Sequence, residues 1–178
     1  MPGLAAFTSP IAWHILSYGT VLGTSVFNTF FQGIVAFKVL PRPSFSVLQQ
    51  KLFPYYFALQ TGLPVASLLS FPTSSLSNLT AGDNLWQVTM PLTLSALLGA
   101  TNWLVLGPWT TSVIKQRKHQ ETRDGKKYYD DGPKSAEMQK LNKTFAALHG
   151  VSSLVNLVDI FVMVYYGFVL AGRVTIAT

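Results

Sequence analysis

The 178-residue sequence contains no cysteine, only three histidines and only 11% charged residues, seven of them acidic. Without cysteine there is no disulfide scaffold, no thiolate nucleophile, no iron–sulfur cluster and no Cys-ligated zinc, and the redox compartment cannot be read. The shortage of charge says more. Soluble domains carry about 25% charged residues, and less than half of that cannot cover a water-facing surface, so the bilayer becomes the leading solvent. Catalytic templates are missing as well: there is no GxSxG, no glycine-rich phosphate loop ending in Lys-Ser/Thr, no HExxH and no glycosidase-like pair of carboxylates. A histidine metal site would need His14, His119 and His149 together, although they fall in three separate parts of the chain. Met1, Met90, Met138 and Met163 are scattered and form no soft-metal ladder. The expectation is a protein that is not an enzyme and carries no cofactor or metal.

What the chain has is apolar length and clustered positive charge. Of 13 Lys and Arg, three (Lys38, Arg42, Lys51) form one cluster and nine lie between Lys115 and Lys143, leaving only Arg173 outside. Such clustering is a topology signal rather than a polyanion footprint, so no nucleic-acid partner is expected despite the net charge of +6. Between the clusters lie four stretches of few or no charges: the N-terminus to Phe37, Leu52 to Gly82, Asn84 to Ile114, and Thr144 to Gly172 with the single carboxylate Asp159. A spanning helix needs about 20 apolar residues. The stretches lack the period-2 polarity of barrel strands and are too long for them. They predict an all-α membrane protein, one integral domain over 1–178, with a four-transmembrane-helix bundle at about 11–37, 53–71, 86–108 and 148–171. The opening MPGLAAFTSPIAWHIL lacks a basic n-region, so no cleavable leader is expected.

Both basic clusters follow odd-numbered helices, which assigns them to the cytosol and both termini and the 72–85 connection to the lumen or exterior. A multi-pass protein of an endomembrane or the plasma membrane is expected, with the lipid bilayer as its first partner. The sequon Asn78-Leu79-Thr80 falls on the outer side and Asn142-Lys143-Thr144 on the inner. In the first basic loop, Pro41 and Pro43 block helix, Ser44 can cap, and Phe45, Leu48 and Leu52 share one face. This predicts a short amphipathic helix lying in the interface, with Lys51 reaching headgroups and Pro54 bending the chain into the second span. Arg42, Phe45, Lys51, Phe53, Pro54 and Tyr55 are the candidate interfacial or partner-binding residues. Met138, Leu141, Phe145 and Leu148 predict a helix that starts in the cytosol and enters the membrane. The polar 115–143 loop before it, broken by Asp124-Gly125 and Asp131-Gly132-Pro133, is expected to be largely mobile.

Polar side chains within spans need partners or water. His149, Ser152 or Ser153, Asn156 and Asp159 fall on one stripe of the fourth span, and Asn102, Gln60, Asn28 and Gln32 are candidate partners on the other three. The stripe Asn102, His149, Ser153, Asn156 and Asp159 is read either as a hydrogen-bond cluster that fixes helix rotation or as a polar cleft for a substrate or ion. His14 lies near the outer interface, where a histidine costs little. Small residues at fourfold spacing (Gly19 and Gly23; Ala58, Gly62, Ala66 and Ser70; Ser95 and Gly99) predict a tight bundle and leave a homo-oligomer open.

FKVLPRPSFSVLQQKLFPYYF (37–57), GATNWLVLGPWTT (99–111), KLNKTFAALHGVSSLVNL (140–157) and the His14, Gly23, Thr29-Phe30, Gly33 pattern resemble the transmembrane protein 205 family. The resemblance covers the four spans in order but not the outer loop or most of the long inner loop. It implies a four-span protein of secretory or plasma membranes, linked to export and tolerance of platinum drugs, with no settled biochemical activity. Where that family places a Glu and an Arg, this chain has Gly107 and Trp109, and Asp159 stands outside the pattern. The functions expected are a small transporter or substrate-binding protein, or alternatively a membrane scaffold that binds a membrane-protein partner through its basic cytosolic loops.

Overall fold

A computed structural model describes residues 7–176, and the expected placement of the two termini therefore concerns residues outside it. The described chain is four long helices: α1 (Pro10–Val39), α2 (Arg42–Leu69), α3 (Gly82–Asp124) and α4 (Ala136–Ile176), with a 3-10 turn at Leu76–Thr80 before α3. Proline sets the boundaries. Pro10 occupies the first helical position of α1, where its missing N–H costs nothing, and Leu40, held extended by Pro41, ends that helix. Pro41 rather than Ser44 then precedes α2, because Pro43 is tolerated in a first turn.

α2 is one element from Arg42 to Leu69, with Pro54 and Pro64 inside it. The expected interfacial helix is thus its first turns and not a separate piece. α1 and α3 contain π turns at Asn28–Gln32, Leu85–Thr89 and Asn102–Leu106. The last two end just before Pro91 and Pro108, which have no N–H to offer the carbonyl four residues back and whose rings need room there; Met90 and Gly107 reach instead to Leu85 and Asn102, five residues back.

The expected 115–143 loop is mostly helix. α3 continues to Asp124, stops where Gly125 adopts φ 62°, and leaves only 125–135 as connector. This segment is tied down, because its polar groups find partners on the two helix ends. Ser135 Oγ accepts from Met138 N–H at 3.2 Å, capping α4, and donates to Asp124 Oδ2 at 2.7 Å. Glu121 accepts from Tyr128 N–H at 3.1 Å, and Arg117 lies between the rings of Tyr128 and Phe145, 3.9 and 4.6 Å from their centroids.

Each helix packs on its sequence neighbour and α4 closes back on α1, so α2 and α4 face each other across the centre. Apolar clusters sit toward the two ends, one around Val21, Val88, Leu92, Met163 and Tyr166, the other around Leu106, Val113, Leu141 and Leu148. α1, α3 and α4 are each long and apolar enough to cross a membrane. The polarity is inside out: Phe168 and Phe161 are 76% and 65% exposed, whereas Gln60, Asn102 and Asp159 are at most 1% exposed. Water would reverse that arrangement, and a lipid solvent favours it. The protein is a membrane protein. Of the small-residue lines, only Ser95–Gly99 lies inside the bundle; Gly19, Gly23 and Gly62 are exposed with no neighbouring atom in reach of a Cβ.

Candidate functional site

The centre of the bundle is a hydrogen-bonded cluster drawn from all four helices. Two turns of α2 contribute Tyr56 and Gln60, four residues apart and so on one face. Tyr56 Oη donates to Asn156 Oδ1 at 2.6 Å, and Gln60 Nε2 donates to the same oxygen at 2.8 Å and to Asp159 Oδ2 at 2.7 Å. Asn156 Nδ2 in turn donates to Thr29 Oγ1 on α1 at 2.7 Å, and Ser25 Oγ lies 3.4 Å from Gln60 Nε2. Two acceptors facing Gln60 Nε2 fix the orientation of its amide, since the flipped form would set its carbonyl oxygen against both. Ser95 of α3 lies beside the Asp159 carboxyl on the remaining side.

The stripe expected on α4 is only partly brought inward. Asn156 and Asp159 are buried, but His149 is exposed and stacks on Phe145 with ring centroids 5.9 Å apart. Ser153 is also exposed. Ser152 takes the inward position and donates to Asn102 Oδ1 at 2.8 Å, while Asn102 Nδ2 reaches the Ser152 carbonyl at 3.4 Å. An α-helix advances 100° per residue, so offsets of 7 and 10 from His149 describe a stripe wide enough to straddle the edge of the buried face, and packing against α3 chose which side went in. Asn102 therefore belongs to a satellite pair, one turn or more from Asp159. Of the other candidate partners, Gln60 is the hub, whereas Gln32 bonds Gln49 at 3.4 Å near the α1–α2 connection.

Three participants, Tyr56, Thr29 and Ser25, were not marked as polar partners by the sequence. Tyr56 and Ser25 read as ordinary span residues and Thr29 enters only through the family pattern, because no spacing rule singles them out. His14, expected to be inexpensive at the interface, is fully buried. Its Nδ1 lies 2.7 Å from the Ser67 carbonyl and its Nε2 lies 2.7 Å from Tyr166 Oη. A carbonyl only accepts, so Nδ1 carries the proton and Nε2 of the neutral ring accepts from Tyr166. Removing that hydroxyl in Tyr166→Phe leaves a buried nitrogen unpaired and is expected to cost about 1 kcal/mol in a mixed-micelle unfolding titration. An unchanged midpoint would show that the bond contributes nothing.

The residues marked as an interfacial or partner surface are spread differently. The Arg42 guanidinium lies 3.7 Å from the centroid of the Phe37 ring, and Phe37 meets Phe45 edge to face, so this trio staples α1 to α2. Phe53 stacks on Phe57 within α2. Lys51, Pro54 and Tyr55 are exposed, Tyr55 by 75%. Among the described residues no group of three or more His, Cys, Asp or Glu side chains is arranged to hold a metal.

A model of the family described as a domain of unknown function (DUF4149) matches residues 16–119, which takes in α1 to α3 up to the beginning of the inner polar segment. Xanthocillin biosynthesis cluster protein D from Aspergillus fumigatus is 29% identical over 169 residues, which cover 95% of this chain and 94% of that protein. No solved structure matches.

Proposed function

The chain belongs to the DUF4149 family, and from that premise together with the buried cluster we propose that it is a four-span membrane transporter for small solutes, with Gln60, Asn156 and Asp159 at its substrate site. The observation that carries this reading is the Asp159 carboxylate. It sits at the junction of the bundle with one oxygen bonded by Gln60 and the other, Oδ1, without a protein donor. A cluster serving only to fix helix rotation works best when every acceptor is matched, because a buried unmatched polar atom costs about 1–3 kcal/mol. An intramembrane acid left part-matched is the hallmark of an ion or substrate pathway. The cluster is closed to both ends in this conformation, which fits an occluded state between two open ones.

α2 serves as the fourth span. Its 28 residues extend about 42 Å, enough for a hydrocarbon core of about 30 Å. Arg42, Gln49, Gln50 and Lys51 make its first turns polar, and within its apolar part Tyr56, Gln60 and Ser67 are buried. This layout, both termini opposite the basic segments, is testable because the chain lacks cysteine. Single substitutions Lys38→Cys and Asp131→Cys should react with an impermeant maleimide from one side and Leu76→Cys from the other; labelling of positions 38 and 76 from the same side would remove α2 from the spans.

The resemblance to the transmembrane protein 205 family supplies the first cargo to try, and the fungal relative's name adds products of small-molecule biosynthesis as a second class. In vesicles loaded with a platinum(II) ammine complex, the wild type should give saturable efflux and Asp159→Asn should lower it at least tenfold. Wild-type efflux no faster than from protein-free vesicles, with that cargo and with small organic solutes, rejects the reading. The exposed Lys51, Pro54 and Tyr55 favour a second role, docking of a membrane-protein partner on the first turns of α2; there Lys51→Glu should lose crosslinked partners and Asp159→Asn should not.

A further inference from the structure

Three oxygens at the centre of the bundle have no protein hydrogen-bond partner although their residues are at most 1% exposed: Asp159 Oδ1, Gln60 Oε1 and Ser95 Oγ. They come from three different helices. Ser95 lies beside the Asp159 carboxyl without completing an aligned hydrogen bond to it. The Gln60 carbonyl oxygen belongs to the amide whose nitrogen already binds the other oxygen of the same carboxylate. The set is therefore an acid, an amide carbonyl and a hydroxyl contributed by α4, α2 and α3.

From this geometry we infer that the cluster is a binding site for a dehydrated monovalent metal cation of the alkali type, with Asp159, Gln60 and Ser95 as its oxygen ligands. This names the ligand class of the site proposed above for transport and rests on that placement, but it does not require flux. Hard cations take carboxylate, carbonyl and hydroxyl oxygens. One carboxylate balances one positive charge, and the cluster supplies no imidazole or thiolate ligand and no second acid, so a divalent or soft metal is disfavoured. The sole ion pair among the described residues is Lys127 with Glu121, far along the chain on the polar connector, so no lysine or arginine neutralises Asp159. A proton would also neutralise the carboxyl, with the Ser95 hydroxyl as a further donor, and the pH arm of the test below tells the two apart. A cation answers all three oxygens and removes the charge at membrane depth.

The test uses the full-length protein in detergent, with thermal unfolding followed in sodium, potassium or N-methylglucamine chloride at constant ionic strength and pH. A saturable rise of the midpoint in sodium or potassium over the organic cation is expected, about 3 °C at ten times the dissociation constant. Asp159→Asn should abolish the rise, and Ser95→Ala, which removes only a small hydroxyl, should move the half-saturating concentration upward at least threefold. Equal midpoints in all three salts overturn the assignment, as does an alkali response that survives unchanged in Ser95→Ala or a response to pH with none to alkali cations. Should the alkali response be present while vesicles show no solute flux, the cation site stands and the transport reading fails; flux without an alkali response fails the cation site alone.

Discussion

Replacing Gly99 by valine is expected to destabilise the folded bundle by about 3 kcal/mol. A Cβ built at this position falls 2.8 Å from the Gln60 carbonyl carbon and 2.9 Å from both its oxygen and the Thr61 nitrogen. All three are backbone atoms of α2, so no side chain can swing away and the two helices must separate. Overpacking a core costs about 1–3 kcal/mol, and valine adds two further carbons beyond the first clash. Alanine should already lose about 2 kcal/mol. Gly150 on α4 supplies the contrast, because nothing lies within 4 Å of its Cβ position. Gly150→Ala should be neutral or stabilising by about 0.5 kcal/mol through helix propensity alone. Mixed-micelle unfolding titrations decide it: equal effects at the two glycines would mean that α2 and α3 do not approach as described. Separation at Gly99 would also carry Gln60 away from Asp159, so the same variant should weaken the polar centre.

Gln60→Leu is the second large effect, at about 3 kcal/mol. Leucine removes both short donations, but their losses differ. Asn156 Oδ1 keeps the Tyr56 hydroxyl, whereas Asp159 Oδ2 is left with no donor from α2. Neutral interhelical hydrogen bonds in membranes average only about 0.6 kcal/mol, because the separated helices also find partners. Stranding a buried carboxylate is costlier, about 3–5 kcal/mol in soluble interiors, so the charged half dominates. Tyr56→Phe, which touches only the neutral half, should therefore cost no more than about 1 kcal/mol. In the Gln60→Leu background, Asp159→Leu should recover most of the loss, since an apolar pair replaces a stranded charge. If Gln60→Leu and Tyr56→Phe prove equally mild, Gln60 does not hold the carboxylate.

These residues also mark how far the sequence could be read. Asp159 and Asn156 were visible as polar interruptions in an apolar run, and Gln60 as a candidate partner, because any hydrogen-bonding group at membrane depth must be answered. Their pairing was not visible. Gln60 and Asp159 are 99 positions apart, and nothing local sets the rotation of α2 relative to α4. The same freedom explains why His149 and Ser153 were assigned inward and lie outward, with Ser152 taking the place. His14 was undervalued because its depth was judged from its position in the chain, while its burial depends on Ser67 and Tyr166, which arrive from other helices. The connector error had a different origin. Charged residues between 115 and 124 read as loop when judged by hydropathy, yet a solvated helix extension is equally polar, and Gly125 rather than the charge ends it.

The sequence by itself determined the solvent, the helical class, the grouping of positive charge and the presence of an acid within the last apolar stretch. Composition and the distribution of charge along the chain are one-dimensional quantities that folding cannot alter. Tertiary structure decided which polar groups meet, that Gly99 lies against the backbone of α2 while Gly19, Gly23 and Gly62 face outward, and that buried oxygens of Asp159, Gln60 and Ser95 are left without a hydrogen-bond partner. Those outcomes depend on the rotation and separation of whole helices. Such rigid-body variables are set by the summed packing of many weak contacts, and no short window of residues encodes them.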